Sequence, residues 1–183
     1  MRLSKEWNLV DVILWFRTHD SQGNASSWIA RPIPQIHERI KFINPQGERA
    51  PIWIPAETWA IAKDTTVPIM VTEGPVKGLV LVQAGAHPIA LSGVYNLAEP
   101  KKREAQWVPE NDGDEQPEHV DENAELRLRD ELLPPSWGWF NRKVYLCFDM
   151  DSRSKPEVRR AEIRAWLLFE AQGAHVFKLE WQA

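Results

Sequence analysis

Hydrophobic residues in the second half of the chain form short continuous runs. The runs PIMVT, HPIALSG, RKVYLCFD and AHVFKLEW predict four strands that are covered on both faces. Two stretches with apolar residues at helical spacing, PVKGLVLVQAG and KPEVRRAEIRAWLLFEAQG, each have a proline near the start and a glycine at the end. The alternation of strands and helices predicts an α/β fold with a parallel sheet of about four strands, flanked by helices.

The first half of the chain has a different pattern. Apolar residues at helical spacing over residues 3–17 predict an amphipathic helix. The stretch HDSQGNASS then predicts a loop, and two apolar runs around NPQG predict a β-hairpin within residues 37–55. We therefore expect residues 1–63 to form a small helix-plus-hairpin region beside an α/β domain at residues 64–183.

An acidic segment interrupts the α/β pattern, and we expect an insertion at residues 99–136. Within residues 104–131, eleven acidic side chains stand against two arginines, a net charge of −9 in a chain whose total is −4. The rest of the chain therefore carries a net charge of +5 and can attract phosphate groups. The acidic segment itself is typical of a solvated loop, and a role in covering the basic surface is the alternative.

The cysteine content and the hydropathy indicate the compartment. The chain has one cysteine, Cys147, which excludes an internal disulfide and suits a reducing cytoplasm. The apolar runs are far shorter than the ~18–20 residues of a membrane span. The first residues carry charges inside their apolar stretch and do not resemble a signal peptide. We expect a cytoplasmic protein with no membrane partner.

Carboxylates follow two of the predicted strands. Glu73 follows PIMVT, and Asp149 and Asp151 follow VYLCF. In open parallel sheets ligands bind beyond the carboxyl ends of the strands, so these three side chains converge if the two strands are neighbours. Clustered carboxylates repel one another unless a cation lies between them, and an oxygen-only set favours Mg²⁺ or Mn²⁺. Phosphoryl or nucleotidyl transfer, or phosphodiester cleavage, is the chemistry such a site supports. Each motif alone is also typical of a turn or a helix cap.

Two blocks of sequence together resemble a known superfamily. VTEGPVKGLVLVQAGAHPIALSGVYNL and VYLCFDMDSRSKPEVRRAE are similar to toprim domains, the fold shared by bacterial-type primases, topoisomerases and some nucleases. The closer likeness is to replication proteins of phages, plasmids and other mobile elements. The resemblance implies a toprim-like sheet, with Glu73 as a metal ligand and general acid or base. It implies that Asp149 and Asp151 are the metal-binding pair.

The resemblance also implies roles for residues around the carboxylates. Lys77 matches a basic position that contacts phosphate or orients Glu73, although a solvated helix lysine is the equal alternative. Arg153 and Lys155 follow the aspartates and are candidates for contact with a nucleic-acid backbone. Three further residues match structural positions of the site: Gly74, Gly93 and Asn96.

Several functions share such a site. The first is primase-like primer synthesis, with nucleotides, DNA or RNA, and a helicase or other replication protein as partners. A metal-dependent nuclease is the second, and a non-catalytic module of a replication complex is another. A topoisomerase is disfavoured, because the chain has only Tyr95 and Tyr145 as nucleophiles and Tyr145 falls in a predicted core strand. With one cysteine, the chain cannot build the zinc ribbon of a complete bacterial-type primase.

Overall fold

A computed structural model describes residues 12–35, 41–100, 126–148 and 155–179. The described part of the chain contains nine strands and three α-helices. In chain order they are β1 (Val12–His19), β2 (Ala25–Ile33), β3 (Ile52–Trp53), α1 (Ala56–Ala60), β4 (Ile69–Glu73), α2 (Pro75–Gln83), β5 (Pro88–Leu91), β6 (Ala98–Pro100), β7 (Leu126–Leu128), β8 (Lys143–Cys147), α3 (Pro156–Glu170) and β9 (His175–Lys178).

The central sheet has five strands in the order β3-β5-β4-β8-β9. Strands β5, β4, β8 and β9 run parallel, and β3 pairs antiparallel with β5 at the edge. This arrangement confirms the predicted mixed α/β fold with a mostly parallel sheet. The run that contains Ile52 and Trp53 is predicted as one arm of the hairpin around NPQG, but its antiparallel pairing with β5 is not, because a local pattern does not show which distant strand is the partner.

Helices α2 and α3 cover opposite faces of this sheet. Ile89 and Leu91 of β5 belong to the larger hydrophobic core, which also includes Phe169 of α3. Ala90, which points the other way, packs with the α2 side chains Val76 and Val82. The sheet is therefore buried on both sides, as its continuous apolar strands require.

A tryptophan cluster fills one end of the larger core. Trp137 and Trp139 are each 2% exposed and stack with 4.9 Å between ring centroids. The Trp139 ring also meets Phe169 edge-on, at 4.8 Å. The side chain of Arg142, 0% exposed, lies over both indole rings at 5.7 and 5.8 Å. We refer to Trp137, Trp139 and Arg142 as the buried Trp–Arg cluster.

The predicted helix over residues 3–17 is wrong from residue 12 onward, where the chain forms β1. Residues 3–11 lie outside the described residues. β1 pairs antiparallel with β2 along its whole length, across the tight connection at residues 20–24. The β-branched and aromatic residues of β1 suit an extended strand, and pairing with β2 gives it a partner that the helical spacing did not reveal.

The predicted hairpin around NPQG is also wrong. The turn forms, but within the described residues 41–55 its two arms do not pair with each other, and residues 37–40 lie outside the described residues. Ile43 instead forms a bridge with Ala30 of β2, and β3 pairs with β5. The apolar arms therefore connect the β1–β2 hairpin to the central sheet.

The predicted acidic insertion can be followed only at its two ends. β6 and β7 pair antiparallel, with Ala98 opposite Leu128 and Pro100 opposite Leu126. A single turn of 3-10 helix at Asp130–Leu132 follows β7. Residues 101–125, which carry most of the acidic charge, lie outside the described residues.

Candidate functional site

The strand that ends at Glu73 is a direct neighbour of the strand that precedes Asp149. Thr72 of β4 lies opposite Cys147 of β8, and the Thr72 hydroxyl donates a hydrogen bond of 3.1 Å to the Cys147 carbonyl. This contact joins the carboxyl ends of the two strands. The condition for the three carboxylates to converge, that the two strands are neighbours, is therefore met, whereas Asp149 and Asp151 themselves lie outside the described residues.

Glu73 also lies at the topological switch point of the sheet. From β4 the chain crosses through α2 to β5 on one side, and from β8 it crosses through α3 to β9 on the other. The two helices lie on opposite faces of the sheet. In open α/β sheets, ligands bind beyond the carboxyl ends of the strands at such a switch point.

The backbone turns sharply after Glu73. Gly74 has a φ of 81°, a left-handed conformation that favours glycine, and its N–H donates to the Leu91 carbonyl of β5 at 2.7 Å. Pro75 then opens α2, where its missing N–H costs no hydrogen bond. The turn directs α2 away from the edge of the sheet and leaves the Glu73 side chain half-buried.

A cavity of about 340 Å³ opens at the carboxyl ends of β4 and β5, and we call it the Glu73 cleft. Its lining residues are Lys41, Phe42, Asn44, Glu73, Gly74, Leu91, Ser92 and Gly93. The Asn44 amide oxygen is buried and has no hydrogen-bond partner among the described residues. An unpaired buried acceptor is costly, and here it belongs to a residue that lines the same cleft as Glu73.

The donor atoms of the Glu73 cleft fit a hard divalent cation. The Glu73 carboxylate and the Asn44 amide oxygen are both oxygen donors of the kind that Mg²⁺ and Mn²⁺ accept. Among the described residues, no group of three or more His, Cys, Asp or Glu side chains could hold a metal ion. A full set of carboxylate ligands therefore depends on Asp149 and Asp151.

Asn96 forms hydrogen bonds that join two segments beside the cleft. Its amide nitrogen donates to the Ala50 carbonyl, and its amide oxygen accepts a 2.9 Å hydrogen bond from Arg129. Arg129 donates to the same Ala50 carbonyl at 2.8 Å, and the Ser92 hydroxyl donates to the Pro51 carbonyl at 2.8 Å. These bonds tie the segment that carries Asn44 to the loop after β5. Asn96 thus has a structural contact next to the cleft.

Of the other described candidate residues, Gly93 lines the Glu73 cleft, whereas Lys77 and Lys155 do not. Gly93 lines the cleft with a φ of 122°, and its carbonyl accepts a 3.0 Å hydrogen bond from the Asn96 N–H. Lys77 is half-buried on α2 and does not line the cleft. Lys155 is exposed immediately before α3. Arg153 lies outside the described residues.

Comparison with known proteins assigns the chain to a family. The sequence model of a family described as "Domain of unknown function (DUF3854)" matches residues 58–183. The chain belongs to this family. Searches of curated proteins and of solved structures gave no match. The DUF3854 match contains Glu73, Gly74 and Gly93, whereas Lys41 and Asn44 come from the segment before it.

Sequence reasoning missed the contribution of that preceding segment. Asn44 was interpreted only as the first residue of a turn, and Lys41 and Phe42 only as part of a strand. Their place in the Glu73 cleft depends on the Ala30–Ile43 bridge, which joins residues distant in sequence. None of the helices in the described part of this DUF3854 chain is long and apolar enough to cross a membrane.

Proposed function

We propose that this protein is a Mg²⁺- or Mn²⁺-dependent nucleotidyl-transfer domain that acts on nucleic acid, with primase-like primer synthesis as its reaction. The observation that carries the proposal is the position of Glu73: at the carboxyl end of β4, beside β8, in a cleft with an unpaired amide oxygen. The toprim-like motifs make replication of a phage or another mobile element, in the cytoplasm, the proposed setting.

Each residue of the site has a role in this proposal. Glu73, Asp149 and Asp151 hold the metal, with the Asn44 amide oxygen as a further donor. The bound metal supplies positive charge that offsets the charge on nucleotide phosphates. Glu73 also accepts or returns a proton at the reacting hydroxyl. Lys41 contributes a cation to the wall of the same cleft.

The basic residues outside the cleft contact the substrate strand. Arg153 and Lys155 contact the phosphate backbone near the start of α3, and Lys77 contacts phosphate or orients Glu73. DNA or RNA with nucleotides is the proposed substrate. A helicase or another replication protein supplies the template-handling functions that a single domain lacks.

A Glu73→Gln variant tests this proposal directly. The purified chain is incubated with Mg²⁺ or Mn²⁺, labelled nucleotides and a single-stranded template. We expect new oligonucleotides with the wild type and a loss of about 10²-fold or more in the variant, the size typical of a general acid or base. Glu57→Gln, an exposed glutamate on α1, is the matched control and is expected to keep full activity.

The same reaction separates the competing functions. Shortening of the template that Glu73→Gln abolishes would replace nucleotidyl transfer with phosphodiester cleavage, because one metal site serves both reactions. Equal product from the wild type and Glu73→Gln would overturn the proposed site. Binding without any product would leave the non-catalytic module as the function.

A further inference from the structure

The β1–β2 hairpin turns one face toward the core and the other toward solvent. Phe16 and Ile29 lie opposite each other and are 5% and 0% exposed. They pack against Trp53 and Ala90 of the central sheet. Because successive side chains of a strand alternate between faces, Trp15, Arg17 and Trp28 lie on the outer side. We call these three residues the hairpin face.

The hairpin face exposes a large aromatic surface. Trp15 is 56% exposed, and its ring meets that of Trp28 at 4.8 Å with an angle of 60° between the planes. The two rings meet edge to face, and Trp28 is itself half-buried. An exposed aromatic patch of this kind marks an interaction surface.

The hairpin face also has a positive charge beside the rings. Arg17 lies directly opposite Trp28 across the strand pair. A groove of about 690 Å³ runs over the face, and its lining residues are Trp15, Arg17, Ala25, Ser26, Ser27 and Trp28. Among the described residues that line the groove, the charged side chain is that of Arg17. The hydroxyls of Ser26 and Ser27 already have partners, the Thr18 hydroxyl at 3.1 Å and the Glu48 carboxylate at 3.0 Å. The indole rings and the guanidinium are therefore the groups that suit a ligand with flat apolar surfaces and negative charge.

The inner side of the hairpin reaches the Glu73 cleft. The Arg31 guanidinium of β2 lies 5.5 Å from the centre of the Phe42 ring, and Phe42 lines the cleft. The hairpin that carries Trp15 and Trp28 is thus built onto the wall of the candidate site. The hairpin face itself lies on the opposite side of the hairpin from this contact, and its groove and the Glu73 cleft have no lining residue in common.

We propose that the hairpin face binds single-stranded nucleic acid, with bases stacked on Trp15 and Trp28 and a phosphate contacted by Arg17. The proposal deepens the proposed function, on which its choice of ligand rests. Single strands present the π-faces of their bases together with their phosphates, the combination that aromatic and arginine side chains recognise. In a duplex the base faces are stacked within the helix and are not accessible to Trp15.

The test measures binding of the full chain to a fluorescently labelled oligothymidine in EDTA, where the metal site takes no part. We expect the Trp15→Ala/Trp28→Ala double variant to bind at least about tenfold more weakly, because stacking on each base contributes substantially to affinity. The Trp15→Phe/Trp28→Phe variant keeps two aromatic rings and is expected to stay within about threefold of the wild type. Phe140→Ala removes another exposed aromatic residue, 72% exposed, and is expected to change nothing.

Arg17→Ala gives a second, independent readout. The slope of log affinity against log salt should become shallower by about 0.7, the value for one lost phosphate contact on a single strand. An unchanged slope would remove the phosphate contact from the proposal. Unchanged affinity of the Trp15→Ala/Trp28→Ala variant, or no binding by the wild type, would overturn the proposal altogether. Equal weakening of duplex binding would also overturn it, since stacking requires free bases.

These outcomes are distinguishable from a failure of the proposed function. Glu57→Gln is expected to keep wild-type affinity in EDTA, because Glu57 lines neither the Glu73 cleft nor the groove of the hairpin face. Binding that depends on Trp15 and Trp28 without any metal-dependent product would overturn only the proposed catalysis. Metal-dependent product with no effect of the hairpin variants on binding would overturn only the hairpin face.

Discussion

The buried Trp–Arg cluster and the hairpin face contain the same types of residue in opposite environments. Trp137 and Trp139 are each 2% exposed beneath Arg142, whereas Trp15 is 56% exposed beside Arg17. In the cluster, the aromatic rings and the guanidinium contact other parts of the protein. On the hairpin face, Trp15 and Arg17 are exposed and Trp28 is half-buried. Residue type alone therefore does not separate a tryptophan that stabilises the fold from one that is available to a ligand.

Arg142 shows how a buried cation can be structural. All five of its N–H groups are used, in five hydrogen bonds of 2.7–3.1 Å to backbone carbonyls. The accepting residues are Ile61, Ala62, Asp64, Val67 and Gly138. Burial lowers the pKa of Arg142, and the nearby Asp64 opposes this effect. The guanidinium stays protonated, because its ordinary pKa is far above neutrality. Arg142 thus fixes the connection between α1 and β4.

The largest effect is expected from removal of this arginine. Arg142→Met removes the side-chain donor from five carbonyls, of which those of Ile61, Ala62 and Asp64 keep a backbone N–H donor. We expect the free energy of unfolding to fall by about 4 kcal/mol or more. Arg17→Met on the hairpin face is the matched control and should change it by no more than about 0.5 kcal/mol. Urea denaturation of both variants checks the prediction. Similar losses of free energy of unfolding in the two variants would contradict the view that the arginine of the buried Trp–Arg cluster is structural and that of the hairpin face is not.

The central sheet could be predicted from sequence because its signals are local. Continuous apolar runs gave the strands β4, β5, β8 and β9, and prolines and glycines marked the limits of α2 and α3. The pairing of β4 with β8 entered the sequence analysis only as the condition under which the carboxylates after both strands converge. What could not be predicted came from contacts between distant segments.

The errors and omissions have a common physical cause. A helix is predicted over residues 3–17, but from residue 12 onward the chain forms β1, because β2 supplies its hydrogen-bonding partner. Asn44 enters the Glu73 cleft through a bridge between β2 and Ile43. The carbonyls bound by Arg142 come mostly from a stretch more than seventy residues earlier in the chain. Periodicity within a short window contains none of this information.

An intermediate effect is expected at the junction between the central sheet and the hairpin. Helix propensity favours alanine over Gly78, which lies inside α2, by about 1 kcal/mol. A Cβ atom at this position would lie 2.8 Å from the Trp53 ring and 2.9 Å from the Ala90 side chain. Trp53 in turn meets Phe16 of the hairpin at 5.5 Å. We therefore expect Gly78→Ala to lower the free energy of unfolding, by about 2 kcal/mol.

Val80→Ala is the matched control for that prediction. Val80 lies on the same helix but is 59% exposed, so its substitution should change the free energy of unfolding by less than about 0.5 kcal/mol. Urea denaturation compares the two variants. Stabilisation by Gly78→Ala would show that α2 does not approach Trp53 closely. The hairpin would then be attached to the sheet more loosely than its packing against Trp53 indicates.

The smallest effect on the free energy of unfolding is expected from Cys147, the last residue of β8. It tests whether the core around this residue excludes water, as the core around the buried Trp–Arg cluster does. Burial raises the pKa of the Cys147 thiol to about 11, from an ordinary value of 9.0. Between these values the unfolded chain loses the thiol proton and the folded chain keeps it, so the free energy of unfolding falls as the pH rises. We expect the Cys147 thiol to lower the free energy of unfolding by about 1 kcal/mol at pH 10, relative to pH 8.

The Cys147→Ala variant isolates this contribution, because lysines and tyrosines titrate in the same pH range in both proteins. Urea denaturation at pH 8 and pH 10 gives the change in the free energy of unfolding for each protein. The wild type should lose more than the variant, by the amount assigned to the thiol. Equal losses would mean that Cys147 ionises as readily in the folded chain as in the unfolded one. The carboxyl end of β8 would then be open to water. In that case the sheet edge that carries Glu73 would resemble the exposed hairpin face rather than the buried Trp–Arg cluster.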